Sequence, residues 1–136
     1  MIRVDESKIS VDDFNYVSNK VGWGTRDKNM MEVALNNTLY SVSIYDDDKI
    51  IGYGRIIGDK AIFLYIQDVM VIPEYQGQKI GTKIMNALLA KIDEYRKINP
   101  SIRIYLGASK GKEKFYEKFG FKTRSSAGLG EGMVLS

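Results

Sequence analysis

The stretch Val69-Met70-Val71-Ile72-Pro73-Glu74-Tyr75-Gln76-Gly77-Gln78-Lys79-Ile80-Gly81-Thr82 holds the residue types that could grip an anion. Pro73 cannot donate to a β-ladder, so a strand stops there; a polar loop with Gly77 and Gly81 follows, and an amphipathic helix begins. Glycine lets backbone amides approach a ligand, and the first turn of a helix leaves several N–H groups without internal acceptors. With the helix dipole these make a site for phosphate or pyrophosphate, to which Lys79 and Lys83 add positive charge. The same residues also suit an ordinary strand-to-helix turn. Two familiar phosphate loops do not fit. GxxxxGK[ST] fails because Gly81 is followed by Thr82-Lys83, and GxGxxG is absent.

Two further side chains could move protons. Asp68 is the only acid inside the apolar run Ala61 to Ile72, and strict alternation places it on the face of Ile62, Leu64, Ile66 and Met70. An unpaired carboxylate there would be costly. It is therefore either a base for an amine, directly or through water, or a structural carboxylate bonded to backbone, lysine or arginine. Tyr116, flanked by Phe115 and Phe119, is either a proton donor or part of a core. Other features carry less. Asp46-Asp47-Asp48 lacks EF-hand spacing and reads as a solvated turn, so no metal site is expected. Trp23 could line an acceptor pocket or anchor the core. Lys110, Lys112, Lys114 and Lys118 alternate with Glu113 and Glu117 as on a solvated helix face.

Composition narrows the chemistry. The 136 residues include no histidine and no cysteine, which excludes Ser–His triads, thiolate nucleophiles and thiolate zinc sites together. Any catalyst must use Asp, Glu, Tyr, Lys, Ser, Thr or backbone groups. A net charge of +3 suits a polyanionic ligand but not a dedicated nucleic-acid binder. No apolar run nears the roughly 20 residues that span a bilayer. Residues 1–6 lack the layout of a signal peptide, so a cytoplasmic location and no membrane partner are expected. The length suits a single domain over residues 1–136.

These residues need positioning elements. Ser10 reads as an N-cap before Phe14, Val17 and Val21, and Gly22-Trp23-Gly24 breaks that helix. A second helix is expected over Lys28 to Asn36, with Met30, Met31, Val33 and Ala34 making apolar contacts. Tyr40 to Ile44, Ile50 to Ile57 and Ala61 to Ile72 read as an antiparallel meander. Ile80, Ile84, Leu88, Ile92 and Arg96 step by four, with Met85, Leu89 and Tyr95 widening the stripe of a long helix. A strand at Ile102 to Leu106 completes a β–loop–α–β unit. A helix over Gly111 to Phe119 stops at Gly120, and short strands are expected at Phe121 to Arg124 and Met133 to Leu135.

On these residues the chain resembles the GCN5-related N-acetyltransferase (GNAT) superfamily, in its small single-domain bacterial form. Gln76-Gly77-Gln78-Lys79-Ile80-Gly81 is similar to that family's Q/R-x-x-G-x-G/A loop, with Lys79 in place of the central glycine. Lys114-Phe115-Tyr116-Glu117-Lys118-Phe119-Gly120-Phe121 is similar to its FYEKxGF segment. The resemblance implies an α/β (α+β) fold, with a mixed, mostly antiparallel central sheet flanked by helices and a splayed parallel strand pair. It implies acetyl-CoA as co-substrate, with Val69, Met70 and Val71 pairing with the pantetheine arm and Gln76, Gly77, Gln78, Lys79, Ile80, Gly81 and Thr82 cradling the pyrophosphate. Ser109 stands where the family often has an asparagine that contacts the cofactor. Tyr116, beside the cofactor, becomes the candidate acid. The implied reaction is direct transfer of an acetyl group to a primary amine in a ternary complex.

That chemistry has definite demands. An alkyl amine with a pKa of ~10.4 is mostly protonated at pH 7, and removing its proton costs roughly 4–5 kcal/mol. A thiol of pKa about 8.5 is a modest leaving group, so a phenol of pKa about 10 is a reasonable donor to it. Asp68 is the candidate base, and a backbone amide near Val69 to Val71 the candidate carbonyl polariser. The competing reading is a catalytically silent acyl-CoA-binding or protein-interaction domain. The acceptor is a small-molecule or peptide amine, and pairing of two copies through an edge strand is compatible with the pattern.

Overall fold

Residues of alternating polarity pair in the order they occur along the chain. The computed structural model describes residues 1–136 as two compact units, Met1–Tyr105 and Leu106–Ser136. The first unit contains β1 (Ile2–Asp5), α1 (Val11–Lys20), α2 (Lys28–Asn36), β2 (Tyr40–Asp46), β3 (Lys49–Gly58), β4 (Phe63–Val71) and α3 (Ile80–Ile98). A fifth strand, β5 (Arg103–Leu106), completes a sheet of order β1-β2-β3-β4-β5. The pairs from β1 to β4 are antiparallel and β4–β5 is parallel, in agreement with the sequence pattern and the resemblance. Strand β1 is not anticipated by the sequence pattern. Its residues are mostly exposed, so no buried alternation marks it, and its start is held by the Met1 amine donating to Asp46 and Asp47.

Helix boundaries obey local chemistry. Ser10 Oγ accepts from the Asp13 N–H and Asp27 from the Met30 N–H, capping α1 and α2. Gly22 and Gly24, at φ 87° and 81°, end the first helix region as anticipated. In α2 it is Met31 and Leu35 that are buried; Met30 and Val33 are exposed, contrary to expectation, because i and i+4 rather than the whole apolar set face inward.

Directly paired residues share a sheet face. Val42 and Ile44 pair with Gly54 and Gly52, and Ile56 pairs with Ile66; this face meets α3. Ser41 and Ser43 pair with Arg55 and Tyr53, and lie on the opposite face, where the Phe14 ring of α1 meets Tyr53 edge-on at 5.6 Å. Helix α3 buries Ile80, Ile84, Met85, Leu88 and Ile92. Each such side chain is worth about 1.5–3 kcal/mol. The two glycines of β3 let α3 approach. A Cβ on Gly54 would stand 2.6 Å from Ile84 Cγ2 and 3.2 Å from Leu88 Cδ1.

The second unit is a short helix and irregular chain. Helix α4 spans Glu113–Glu117, less than expected, since Gly111 at φ 85° stands outside it. The Phe121 N–H donates to the Tyr116 carbonyl at 3.3 Å and the Gly120 N–H to Glu117 at 3.0 Å, with Gly120 at φ 94°. This is a Schellman cap, with glycine at the expected position. The two final strands do not form. From Thr123 to Leu129 the chain bonds to itself: Ala127 N–H donates to Thr123, Leu129 N–H to Arg124, and Arg124 Nε to the Gly130 carbonyl. Those turns take the Thr123 and Arg124 carbonyls that the first of these strands would need. Met133, Val134 and Leu135 are exposed.

Gly54→Ala should destabilise the fold by about 1–3 kcal/mol, because Ile84 is buried, β-branched and unable to yield. A chemical-denaturation midpoint checks this. Tyr53 is fully buried, its hydroxyl has no hydrogen-bond partner, and burial pushes the phenol up to about 12. An unfolded tyrosine ionises near 10. Below pH ~10 the phenol is neutral in both states, and stability is lost as pH rises from there toward about 12, because the unfolded tyrosine ionises first. Tyr53→Phe should be neutral or stabilising by about 1 kcal/mol near pH 7, and should flatten the alkaline loss in a pH series of melts.

Candidate functional site

The site begins with an irregularity in β4. Tyr53 pairs with Met70 but Arg55 pairs with Gln67, so two steps along β3 match three along β4. The extra residue is accommodated at Asp68, whose φ of 57° is left-handed. This is a β-bulge, and it re-aims the residues on its C-terminal side. Gln67 and Met70 both pair with residues of the Tyr53 face, whereas Ile66 lies on the α3 face, and Val69 approaches Gly54 on the α3 side. The expectation that Asp68 shares a face with Leu64, Ile66 and Met70 therefore fails. Alternation holds up to Ile66 and breaks at the bulge, and Ile62 is exposed in the turn before β4.

The Asp68 carboxylate points to Arg55. Nε of Arg55 donates to Oδ2 at 2.7 Å, and the two side chains are 12% and 6% exposed. The Gln67 amide lies 3.4 Å from Oδ1. Of the two roles open for this residue, the structure supplies the partner required by the structural one. Reasoning from sequence misses Arg55. The available signal is that it is the one charged side chain in the Ile50 to Ile57 stretch.

Beyond the bulge, one edge of β4 lacks a strand. The Arg103 N–H donates to the Ile62 carbonyl at 2.9 Å, and the Tyr105 and Phe63 rings lie 5.1 Å apart, so β5 starts beside the start of β4. A strand of four residues cannot run alongside all nine of β4. Val69, Met70 and Val71 occupy the far end, half-buried except for Met70, which is buried.

The loop after β4 turns tightly. Pro73–Tyr75 forms a single 3-10 turn, where the sequence indicates only a polar loop. The Gln76 amide donates back to the Val71 carbonyl at 3.0 Å, the Gln78 amide donates to the Glu74 carbonyl at 3.2 Å, and Tyr75 Oη donates to Asp46. Gly77 has a φ of 80°, a conformation glycine adopts without penalty. Lys79 stands as the N-cap of α3 at φ 65°, ψ 20°, also left-handed, with no side-chain bond to the helix start. That contrasts with α1 and α2. No acidic residue occupies the first turn of α3, so Ile80, Gly81 and Thr82 present a helix start without a capping side chain. Ser10 and Asp27 show how this chain closes a helix start when it does so.

Ser109 and Tyr116 belong to the second unit. Ser109 is exposed, and its carbonyl accepts from the Lys112 N–H at 2.9 Å. Tyr116 is half-buried, with the rings of Phe115 and Phe121 edge-on to it at 5.1 and 6.4 Å. Burial pushes its phenol above the ordinary tyrosine range. The Asp46–Asp48 triplet lies at the turn between β2 and β3, where Asp46 and Asp47 accept from the Met1 amine at 3.0 and 2.8 Å. Trp23 is partly exposed in the bend after α1.

A family model described as an acetyltransferase (GNAT) domain matches residues 12–135. An uncharacterized N-acetyltransferase, ycf52-like, from Prochlorococcus marinus is 32% identical over 105 residues, which cover 74% of this chain and 56% of that protein. An uncharacterized N-acetyltransferase, ycf52, from Gracilaria tenuistipitata is 29% identical, over 86% of this chain and 64% of the other. The chain thus spans about three-fifths of the length of these relatives. Among solved structures, a probable acetyltransferase of unknown function from methicillin-resistant Staphylococcus aureus superposes with a TM-score of 0.87 at 30% identity, covering 100% of this chain and 99% of that one. A GNAT family protein from Streptococcus pneumoniae gives 0.83 at 26% identity, over 100% and 98%.

Left-handed backbone at a residue with a side chain costs roughly 1–2 kcal/mol, part of which glycine recovers. Lys79→Gly should therefore raise stability by up to about 1 kcal/mol while weakening anion binding at the α3 start. A thermal melt and a pyrophosphate titration check the two effects separately.

Proposed function

The chain belongs to the GNAT acetyltransferase family, and we propose that it transfers an acetyl group from acetyl-CoA to a primary amine by direct attack in a ternary complex. The observation that carries this reading is the combination of a strand end with one unpaired edge, Val69–Val71, and the uncapped start of α3 that comes after it. The residues present fit the cofactor. Val69, Met70 and Val71 offer backbone groups to an amide-bearing arm. Gln76, Gly77, Gln78, Lys79, Ile80, Gly81 and Thr82 form a turn with amides, one lysine and no acid, as a diphosphate requires. The family resemblance, and not the arrangement of the first unit, adds Ser109 as a proposed polar contact.

When bound, acetyl-CoA supplies the thioester whose C–S bond breaks as the amine N–C bond forms. Two protons must then move, one off the amine and one onto the departing thiolate. Tyr116 Oη holds one. With its phenol pushed up by burial, Tyr116 stays protonated through neutral and mildly alkaline pH, and so remains able to donate to a departing thiolate. The amine proton is better assigned to solvent than to Asp68, because Oδ2 of that carboxylate is engaged by Arg55. A backbone amide in Val69 to Val71 is the proposed carbonyl polariser. The acceptor is a small-molecule or peptide amine. No helix is long and apolar enough to cross a membrane, and the absence of cysteine accords with a reducing compartment such as the cytoplasm.

Tyr116→Phe should lower turnover by roughly 100-fold with coenzyme A affinity unchanged, read from thiol release over an amine panel and from calorimetry. A silent binding domain would show no turnover to lose. Because the folded phenol titrates above its ordinary value, kcat should not fall on the alkaline side before pH ~10. A descending limb near pH 8 that persists in Tyr116→Phe would remove Tyr116 from the role.

A further inference from the structure

Arg55 is almost buried, and its guanidinium reaches in two directions. Nε donates to Asp68 Oδ2 at 2.7 Å. One terminal nitrogen donates to Thr38 Oγ1 at 3.1 Å and to the Ala34 carbonyl at 3.3 Å. Thr38 Oγ1 in turn donates to the same carbonyl at 3.0 Å. Ala34 and Thr38 stand at the C-terminal end of α2 and just beyond it, where the helix dipole favours a cation. One planar fork, rooted in β3, therefore ties the end of α2 to the left-handed residue of the β4 bulge.

That residue needs an anchor. A non-glycine side chain at φ 57° inside a strand persists when its surroundings over-determine it. The Asp68 carboxylate has one ion-pair partner, Arg55, and its other oxygen meets only the neighbouring Gln67 amide. Val69 to Val71 come next in the chain, so the conformation of Asp68 sets the direction in which their backbone leaves the bulge. On the acetyl-CoA reading above, this is the backbone that faces the cofactor. We infer that Arg55 is a positioning residue for acetyl-CoA. It holds Asp68 left-handed against the end of α2, and Asp68 serves as its anchor and not as the base for the amine.

The test is coenzyme A calorimetry, with melting curves to define the folded fraction, on wild type, Arg55→Lys, Arg55→Gln, Asp68→Asn and the Arg55→Gln/Asp68→Asn double variant. Both neutral singles should bind about tenfold more weakly, and the double no worse than either, as expected of two ends of one contact. Arg55→Lys keeps the charge but not the fork, and should fall between. Thr38→Val, a milder change that spares the ion pair, should weaken binding by roughly two- to threefold. Wild-type affinity in every folded variant would show a merely structural pair and overturn the inference. So would an Asp68→Asn protein that binds normally but loses turnover with a shifted pH profile, the signature of a base. If wild type itself takes up no coenzyme A, the acetyltransferase reading has failed first, and this inference falls with it.

Discussion

Strand β4 carries one residue more than β3 can pair with, and the arrangement around the candidate site depends on where that residue goes. Before the bulge, Leu64 and Ile66 obey the alternation of a half-buried strand. After it, Val69 and Met70 have exchanged faces relative to that alternation. The bulge lies beyond the reach of the short parallel strand β5, so β4 has one occupied edge at its start and one open edge at its end. A nearly buried arginine meets the displaced carboxylate at this point, so the Tyr53 face carries an ion pair beside its apolar packing. Burying an ion pair is seldom a net gain in stability, which makes a conformational role the better explanation for its presence.

The loop after β4 shows the same preference for local backbone strain over capping. A serine or aspartate at position 79 would close the start of α3 as Ser10 and Asp27 close α1 and α2. A left-handed lysine stands there instead. Its side chain is a cation, and the amides behind it have no acceptor from the cap. A helix start left in this condition is suited to an external anion. Glycine, the residue of the related loops, would reach the same backbone angles without strain but without charge.

Much of this is legible in the residues. The meander, the long amphipathic helix and the glycine-bearing turn between β4 and α3 can be read from period and from Pro73, Gly77 and Gly81, because each signal is local. Ser10 and Gly120 mark their helix ends through chemistry that acts within a few residues. The features that escape a reading of the sequence depend on partners distant along the chain. Strand β1 is held by an edge pairing with residues some forty positions away, with little burial to betray it. The bulge arises from a mismatch between two strands and leaves no mark on either alone; only an aspartate in an apolar run and a lone arginine in the preceding strand hint at it. The terminal strands are suggested by β-prone residues, but turns from Thr123 to Leu129 take the Thr123 and Arg124 carbonyls, and Met133 to Leu135 lie exposed.

The proposed use of acetyl-CoA requires the open edge at the end of β4 and the uncapped start of α3 to act together as one site. Backbone amide NMR during a coenzyme A titration tests both at residue level. Saturable shifts are predicted at the amides of Val69, Val71, Gly81 and Thr82, all with one dissociation constant. Saturation of the protein with coenzyme A while those four amides stay unmoved would contradict a shared site.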